Sequence, residues 1–389
     1  MPGSSALRIE LVERHADIPL SAAQWNALVE QNETSTVFQT YEWFDAWWST
    51  FGTRHRLFFL LLRRGGEIVG FAPLMIVRKK WGVRELQFVG TGNADYLDFI
   101  IVGDRDDALR AICEFLRQRT RAWNRFRLCN IPDTCSSRFF FSRLGRGRKL
   151  YVLEESRIRC PAMQIRETRA SAAELISRYS MRRPLNWFKR RGQVRFRHVH
   201  SLEEIRALLP SFFEQHEQRW QAVGKKSLFN NAQQRAFYER LATTMQPTGW
   251  LLFSVVEFDG APIAFHFGFD YAEKVIWYKP SFETRYSEHS PGLLLIRSLI
   301  EDALQRDRKE IDFTTGDEQF KERFANTRRH NIYLRVYHSR FQWSIAMVVR
   351  TTRRAAGQLM RQWNLRERLA ALINEMPVRL RHEPNVRSE

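Results

Sequence analysis

Residues 250–321 contain the stretch that decides the fold. It opens with Trp250-Leu-Leu-Phe-Ser-Val-Val-Glu257, turns at Phe258-Asp-Gly260 and continues as Pro262-Ile-Ala-Phe-His-Phe-Gly-Phe-Asp270. These two runs, rich in β-branched and aromatic residues and separated by Asp-Gly, predict a β-hairpin, because Asp and Gly suit its tight turn. The next run, Lys274-Val-Ile-Trp-Tyr-Lys279, predicts a third strand.

A helix and a further strand are predicted next. Tyr286-Ser-Glu-His-Ser-Pro-Gly292 leads into the apolar helix Leu293–Ile300. Ile311-Asp-Phe-Thr-Thr-Gly316 then predicts a short strand ending in a glycine turn, and Asp317-Glu-Gln-Phe-Lys321 starts a new helix. Together these elements predict a mixed α/β unit.

The first half of the chain predicts the same order of elements. A hairpin with a Gly65-Gly66 turn precedes further strands, a helix and a late strand. We interpret this as an internal duplication, although the residues of the two halves do not match closely. The predicted elements are Leu57–Leu62, Ile68–Val77, Glu85–Val89, Tyr96–Val102, the helix Asp106–Thr120, Phe126–Asn130 and Tyr151–Leu153.

The predicted fold class is therefore α/β, with two mixed-sheet units followed by a basic helical tail. The predicted boundaries are 1–165 for the first unit, 166–340 for the second and 341–389 for the tail. A basic stretch, Ser177–Arg197, opens the second unit with eight cations and no acid. The elements predicted next are the strand Val194–His200 and the helices Ser201–Leu209, Phe212–Gln221 and Ala232–Met245.

Composition limits the functional classes. The chain has 389 residues and a formal charge of +19, which suits a nucleic acid, an anionic membrane or a polyphosphate ligand. Its four cysteines show no zinc-like spacing, and we expect buried, reduced thiols. Neither a P-loop nor a Gly-x-Ser-x-Gly motif is present. Since the start lacks a secretory signal pattern, we expect a cytoplasmic protein.

Four residues at the start of the apolar helix form a candidate phosphate-binding turn. Ser290, Pro291 and Gly292 bring a small-residue backbone to a helix N-terminus, where amide groups bind phosphate. Arg285, just upstream, is the candidate partner for the same phosphates. The alternative interpretation is an ordinary helix start with proline in its first turn.

Four further residues are candidates for catalysis. His266 is a candidate general base on an apolar strand, and a core histidine is the alternative. Tyr278 is a candidate acid for a departing thiolate. Asp312 and Lys321 flank the glycine turn, where Asp312 suits a base or hydrogen-bond acceptor, while a turn cap and a solvated lysine are the alternatives. His198 and His200 have no third ligand in view, so we predict no metal.

Several of these pieces together resemble a known family. They are Phe38-Gln-Thr-Tyr-Glu-Trp-Phe-Asp-Ala-Trp-Trp48, the basic helix Arg182–Gly192, Ser290-Pro-Gly292 with its helix, and Asp312-Phe-Thr-Thr-Gly316 with Phe320-Lys321. In this order they resemble the GNAT acyltransferases, in particular the CelD-like branch associated with bacterial cellulose and exopolysaccharide biosynthesis.

The resemblance implies a tandem GNAT-like fold, also found in Fem-type transferases. It implies acyl-CoA, with acetyl-CoA foremost, as co-substrate, held by the second unit with Ser290, Pro291 and Gly292 at the pyrophosphate. The acceptor is then an amine or hydroxyl on a small molecule or saccharide. The alternative within the same fold is a Fem-like enzyme using aminoacyl-tRNA, which the positive charge favours.

The basic tail leaves a third interpretation open. Trp343, Met347, Trp363 and Leu369 are interspersed with arginines, which suits peripheral contact with an anionic inner membrane. The chain would then be a non-catalytic component of a membrane-associated synthase complex. The alternative is a tail helix packed on the domain, with arginine stems covering apolar surface.

Overall fold

The structure is a computed structural model that describes residues 6–144, 150–316 and 318–362. The chain divides into two compact units, Met1–His338 and Ser339–Glu389. The larger unit contains every strand of the described chain and is built from two halves with the same order of elements.

The first half alternates strands with helices in the predicted order. Its elements are β1 (Leu7–Val12), α1 (Ala22–Gln31), α2 (Tyr41–Phe51), β2 (Arg56–Arg64), β3 (Glu67–Arg78), β4 (Arg84–Phe88), β5 (Ile100–Ile101), α3 (Arg105–Gln118), β6 (Arg125–Pro132), α4 (Ser136–Leu144) and β7 (Tyr151–Gln164).

Additional helices open the second half before the same strand order returns. Its elements are α5 (Arg169–Ser177), α6 (Tyr179–Lys189), β8 (Val194–Val199), α7 (Leu202–Ala222), α8 (Ala232–Met245), β9 (Leu251–Phe258), β10 (Ala261–Tyr271), β11 (Lys274–Phe282), α9 (Pro291–Gln305), β12 (Glu310–Asp312), α10 (Gln319–Glu322) and β13 (Thr327–Tyr337).

All the strands of the described chain form one sheet, in which the strands of the second half follow those of the first half in reverse order. The order is β1-β2-β3-β4-β6-β13-β7-β12-β11-β10-β9-β8, with β5 beside β3. The last strand of each half lies in the other half's part of the sheet, since β13 pairs with β6 and β7 pairs with β12. These two exchanged strands pair with each other, antiparallel, at the centre. The halves are therefore joined by backbone hydrogen bonds as well as by side-chain packing.

The main hydrophobic core is shared between the halves. Phe38 of the first half lies with its ring 6.1 Å from that of Phe269 and 5.5 Å from that of Tyr278. Trp43, on the buried aromatic face of α2, packs edge-on against Phe237 of α8 at 5.6 Å. The aromatic face of α2 therefore packs in the core. A second, smaller core fills the space between the sheet and helices α5, α6 and α9.

Several predicted elements differ from the structure. The two helices predicted on either side of Pro210 are the single helix α7. Pro210 removes one backbone hydrogen bond, but Leu209, Phe212 and Phe213 are buried and hold the helix across it. Of the strand predicted at Tyr96–Val102, only the two residues of β5 form a strand.

The predicted late strand of the first half is also longer, because β7 pairs with two other strands along its length. The apolar helix after the small-residue turn begins earlier than predicted. Pro291 is its first residue, so Gly292 lies inside the first helical turn and not before it. Proline is common at this first helical position.

The smaller unit is described as far as one helix, α11 (Arg340–Gln362). Residues 363–389 of the predicted tail, including Trp363 and Leu369, lie outside the described residues. Within the described chain, each helix is too short or too polar to cross a membrane.

Candidate functional site

A cleft opens in the second half where two parallel strands diverge. β11 and β12 pair only from Lys274 opposite Glu310 to Ile276 opposite Asp312. β12 then ends, while β11 continues to Phe282. The cleft has a volume of about 590 Å³ and is also lined by α7 and the segment after β12. Such a gap leaves part of the edge of β11 without a partner strand.

Polar side chains bind the edge of β11 along this gap. The Thr314 hydroxyl donates to the Trp277 carbonyl oxygen at 3.2 Å. Arg219 of α7 donates to the Pro280 carbonyl oxygen at 2.9 Å. The cleft therefore has a polar strand edge as one wall, a surface that an amide-containing chain can pair with.

Two lysines line the interior of the cleft. The Lys321 ammonium is almost fully buried and donates to the Thr315 carbonyl at 2.8 Å, with the Glu318 carboxylate at 3.0 Å. The Lys279 ammonium lies 3.7 Å from the centre of the Tyr278 ring. Burial lowers the pKa of Lys279, an effect that Asp95 opposes and Lys321 reinforces. Four basic side chains line the cleft against two acids, Asp95 and Glu318, so the cleft carries a net positive charge.

The first half contributes an acid to this cleft. The Asp95 carboxylate accepts from the Thr315 hydroxyl at 2.6 Å, and the Asp95 carbonyl accepts from the Asn331 amide at 2.6 Å. Asp95 follows a turn in which Gly90 and Gly92 both have positive φ, a backbone conformation that favours glycine. Asp95 is not among the residues predicted from the sequence, and its sequence signal is this glycine turn at the end of a predicted strand.

His216 of α7 also lines the cleft, but its ring is fixed. The Trp220 indole N–H can only donate, so His216 Nε2, at 3.1 Å, accepts. Nδ1 then carries the proton and donates to the Ser227 hydroxyl at 2.8 Å. Burial lowers the pKa of His216 to about 3. We therefore assign His216 a neutral, structural role in the cleft wall.

Tyr278 lines the cleft, but its hydroxyl is already engaged. It donates to the Asn93 carbonyl of the first half at 2.6 Å and accepts from Tyr238 at 3.1 Å. Burial raises the pKa of Tyr278 well above its usual value. Of the four predicted catalytic residues, Tyr278 and Lys321 thus meet at the cleft.

His266 does not line the cleft and lies under it. Its ring is fully buried and stacks on Trp277, with ring centres 5.0 Å apart. Among the described residues, neither ring nitrogen has a hydrogen-bond partner. Burial, together with nearby His198, lowers the pKa of His266 to about 3. Its contact with the cleft runs through Trp277, one of the lining residues.

Asp312 lies at a second, smaller cavity of about 160 Å³ between the halves. It accepts from the Tyr96 hydroxyl at 2.7 Å and the Thr314 amide at 2.8 Å. Arg329 of β13 lies 3.3 Å away. Burial raises the pKa of Asp312, and Arg329 opposes that rise. The structure therefore separates Asp312 from Lys321, although the sequence places them close together.

The predicted phosphate turn lies beside the cleft. A short 3-10 helix, Thr284–His289, leads to Ser290, which has a left-handed backbone (φ 57°, ψ 56°). Thr284 and Ser287 line the cleft, whereas Ser290 lines a neighbouring pocket of about 280 Å³ with Arg183 of α6.

The other members of that turn face different surroundings. A Cβ added at Gly292 would lie 3.1 Å from the Phe282 ring, so glycine allows close packing there. Arg285 is exposed and lies over the Tyr286 ring, with 4.9 Å from the guanidinium carbon to the ring centre. Across the described ranges, no cluster of three His, Cys, Asp or Glu side chains suits a metal ion.

Comparison with known families gives a match to the region around this cleft. Residues 177–322 match the family described as acetyltransferase (GNAT) domain. The matched range includes β11, α9 and Lys321, and it ends at the last residue of α10. No curated protein sequence matches the chain.

Solved structures show the same fold over most of the chain. FemX is 10% identical, with a TM-score of 0.59 over 80% of this chain and 96% of FemX. A Bacteroides thetaiotaomicron protein of unknown function is 14% identical, with a TM-score of 0.51 over 85% of this chain and all of its own. The C-terminal domain of an Agrobacterium fabrum protein assigned as a lysylphosphatidylglycerol synthetase is 14% identical, with a TM-score of 0.51 over 83% and 95%. The predicted mixed α/β, GNAT-like fold class is confirmed.

Proposed function

We propose that the protein transfers an acyl group, foremost acetyl, from acyl-CoA to an amine or hydroxyl acceptor. The observation that supports this most strongly is the cleft between β11 and β12, which lies within the GNAT domain match. The part of the β11 edge that Thr314 and Arg219 leave unbound can pair with an amide of a pantetheine arm, as an added strand would. The thioester would then lie between the two walls of the cleft.

Charge supports an anionic donor at this site. The cleft is lined by the basic side chains of Lys279, Lys321 and Arg219. Its wall extends through Thr284 and Ser287 towards the N-terminus of α9. Helix N-termini and buried cations both stabilise phosphate oxygens. The diphosphate of CoA would lie at this turn, where Ser290, Pro291 and Gly292 were predicted to bind it.

The acceptor proton requires a base that reaches the cleft. Asp95 has a carboxylate there and is our preferred base, acting directly or through water. Lys279 would stabilise the developing oxyanion. His266 and Asp312 stay predictions for this role. Neither side chain lines the cleft, so a structural rearrangement would have to bring either one to the acceptor. A saccharide acceptor in polysaccharide biosynthesis is proposed from the CelD-like resemblance alone.

An aminoacyl-tRNA donor is the second candidate, and α6 favours it. Arg182, Arg183, Lys189 and Arg190 are all exposed, and within the described residues none of them forms an ion pair. A row of free cations binds a phosphodiester backbone through counterion release. Arg183 lines the pocket beside the α9 N-terminus, so this surface continues to the turn next to the cleft.

Titration calorimetry with acetyl-CoA and CoA separates these candidates. The test variant is Lys321→Met. The matched control is Lys226→Met, because Lys226 is exposed and does not line the cleft, although it follows the cleft-lining Lys225. We expect affinity to fall about tenfold or more in the first, since a buried cation contact is lost, and to stay unchanged in the second. Thermal melts of both variants establish that they are folded.

The opposite result is equally informative. If the wild-type protein binds neither acetyl-CoA nor CoA, the acyl-CoA proposal is wrong. Filter binding of aminoacyl-tRNA at increasing salt would then test the second candidate, for which Arg182→Gln with Arg183→Gln should reduce the salt slope by about two units. Binding that is independent of salt would reject it.

A further inference from the structure

The helix α11 presents an exposed apolar face. Phe341, Ile345, Val348 and Val349 are spaced at four, three and one residues, which places them on one side of a helix. They are 74%, 49%, 62% and 42% exposed, respectively. Four large apolar side chains exposed together on one helix favour a binding surface over chance exposure.

The charge of the same helix has one sign. Residues 340–362 contain five arginines and no aspartate or glutamate. The helix has 23 residues and is therefore about 34 Å long at about 1.5 Å per residue. A long helix with an apolar face, a low overall hydrophobicity and only positive charges is typical of helices that lie in a membrane interface.

We propose that α11 lies flat on the surface of an anionic lipid bilayer. Phe341, Ile345 and Val348 would insert between the acyl chains, and the arginines would bind the lipid phosphates. Charge complementarity selects this occupant, because an anionic leaflet attracts each basic residue near its surface. A second copy of the same helix is disfavoured, since two helices with five positive charges each would repel one another.

Vesicle co-sedimentation of the full-length protein tests this proposal. One set of vesicles contains phosphatidylcholine alone, and the other contains phosphatidylcholine with phosphatidylglycerol. We expect sedimentation with the anionic vesicles only, weakening as salt is added, because salt screens the attraction between the arginines and the lipid. Equal sedimentation with both vesicle types, or none with either, would reject the proposal.

A pair of uncharged substitutions isolates the apolar face. Ile345→Asn with Val348→Asn removes two inserting side chains, and we expect partitioning into anionic vesicles to fall about tenfold or more. The control is Thr351→Asn, an exposed polar position on the same helix, which should bind like the wild-type protein.

Because all three positions are exposed, the variants should fold normally. Equal partitioning of both variants would overturn the assignment of the apolar face. Light scattering adds a separate readout: if the double substitution converts a dimer into a monomer and leaves vesicle binding unchanged, a second copy covers this face and the proposal is wrong.

Discussion

The buried imidazole of His266 makes stability depend on pH in a way that one substitution can isolate. The ring is fully buried, and the described residues offer its nitrogens no hydrogen-bond partner. Burial lowers its pKa from 6.5 to about 3. The folded protein therefore excludes a proton that the unfolded chain binds below pH 6.5, and stability is lost as the pH falls below that value.

The magnitude follows from the two pKa values. A pH of 5 lies 1.5 units below the ordinary imidazole pKa of 6.5, so the ring is protonated in the unfolded chain. In the folded protein the ring is still neutral at this pH. At about 1.36 kcal/mol per unit, His266 removes about 2 kcal/mol of folding free energy between pH 7 and pH 5. His266→Leu abolishes this contribution, and its similar volume should keep stability at pH 7 within about 1.5 kcal/mol of the wild-type protein.

Urea unfolding at pH 7 and pH 5 measures the effect. We expect the stability of His266→Leu to fall by about 2 kcal/mol less than that of the wild-type protein over this interval. The control is His200→Leu, which removes an exposed imidazole and should show the wild-type fall. If His266→Leu and the wild-type protein lose equal stability, the ring is not held neutral and the reasoning fails. An acyl-transfer rate that is unchanged in His266→Leu would remove His266 from the candidate bases.

Three further predictions test the packing. Arg329→Met leaves two buried carboxylates without their cation, and guanidinium unfolding should show a loss of about 3–5 kcal/mol, against less than about 1 kcal/mol for exposed Arg328→Met. Gly70→Ala places a Cβ 2.3 Å from the Ile100 carbonyl oxygen, and thermal unfolding should show a loss of about 1–3 kcal/mol. All four cysteines are buried, and burial raises the pKa of Cys160 to about 12. A thiol reagent should therefore label the native protein slowly and the unfolded protein fast.

Local sequence signals determine where the first three helices begin. Ser21 with Gln24 forms the capping box that begins α1, and Thr40 caps α2, which ends at Phe51 before Gly52. Asp104 caps α3 through the amide of Asp107, as its position predicts. These features depend on residues within one turn of each other, so a single sequence contains all the information that they need.

Long-range pairing could not be predicted in the same way. Thr327–Tyr337 of β13 pairs along its length with β7, more than 160 residues earlier in the chain. No turn connects these strands, so neither their pairing nor its register has a local sequence signal. The segment Tyr96–Phe99 shows the same limit. Its sequence is typical of a strand, but the Leu97 amide donates to the Asn130 carbonyl and the Tyr96 side chain lines the cavity between the halves.

The site was predicted in part for the same physical reason. Lys321 and Tyr278 line the cleft, and Ser290, Pro291 and Gly292 begin the helix next to it. Period-two alternation locates His266 on a strand face, but it cannot tell whether that face is covered, and α9 covers it. Asp95 was missed because it comes from the other half, and only the folded chain brings it near Thr315.

The exchange of last strands explains why the cleft needs both halves. β7 of the first half continues the sheet beyond β12, and it therefore supports the wall where β12 leaves β11. The first half also supplies Asp95 and the Asn93 carbonyl that holds the Tyr278 hydroxyl. Each of these contacts crosses the boundary between the two halves. Two halves with separate sheets could supply none of them, so the joined sheet is what makes the first half part of the candidate active site.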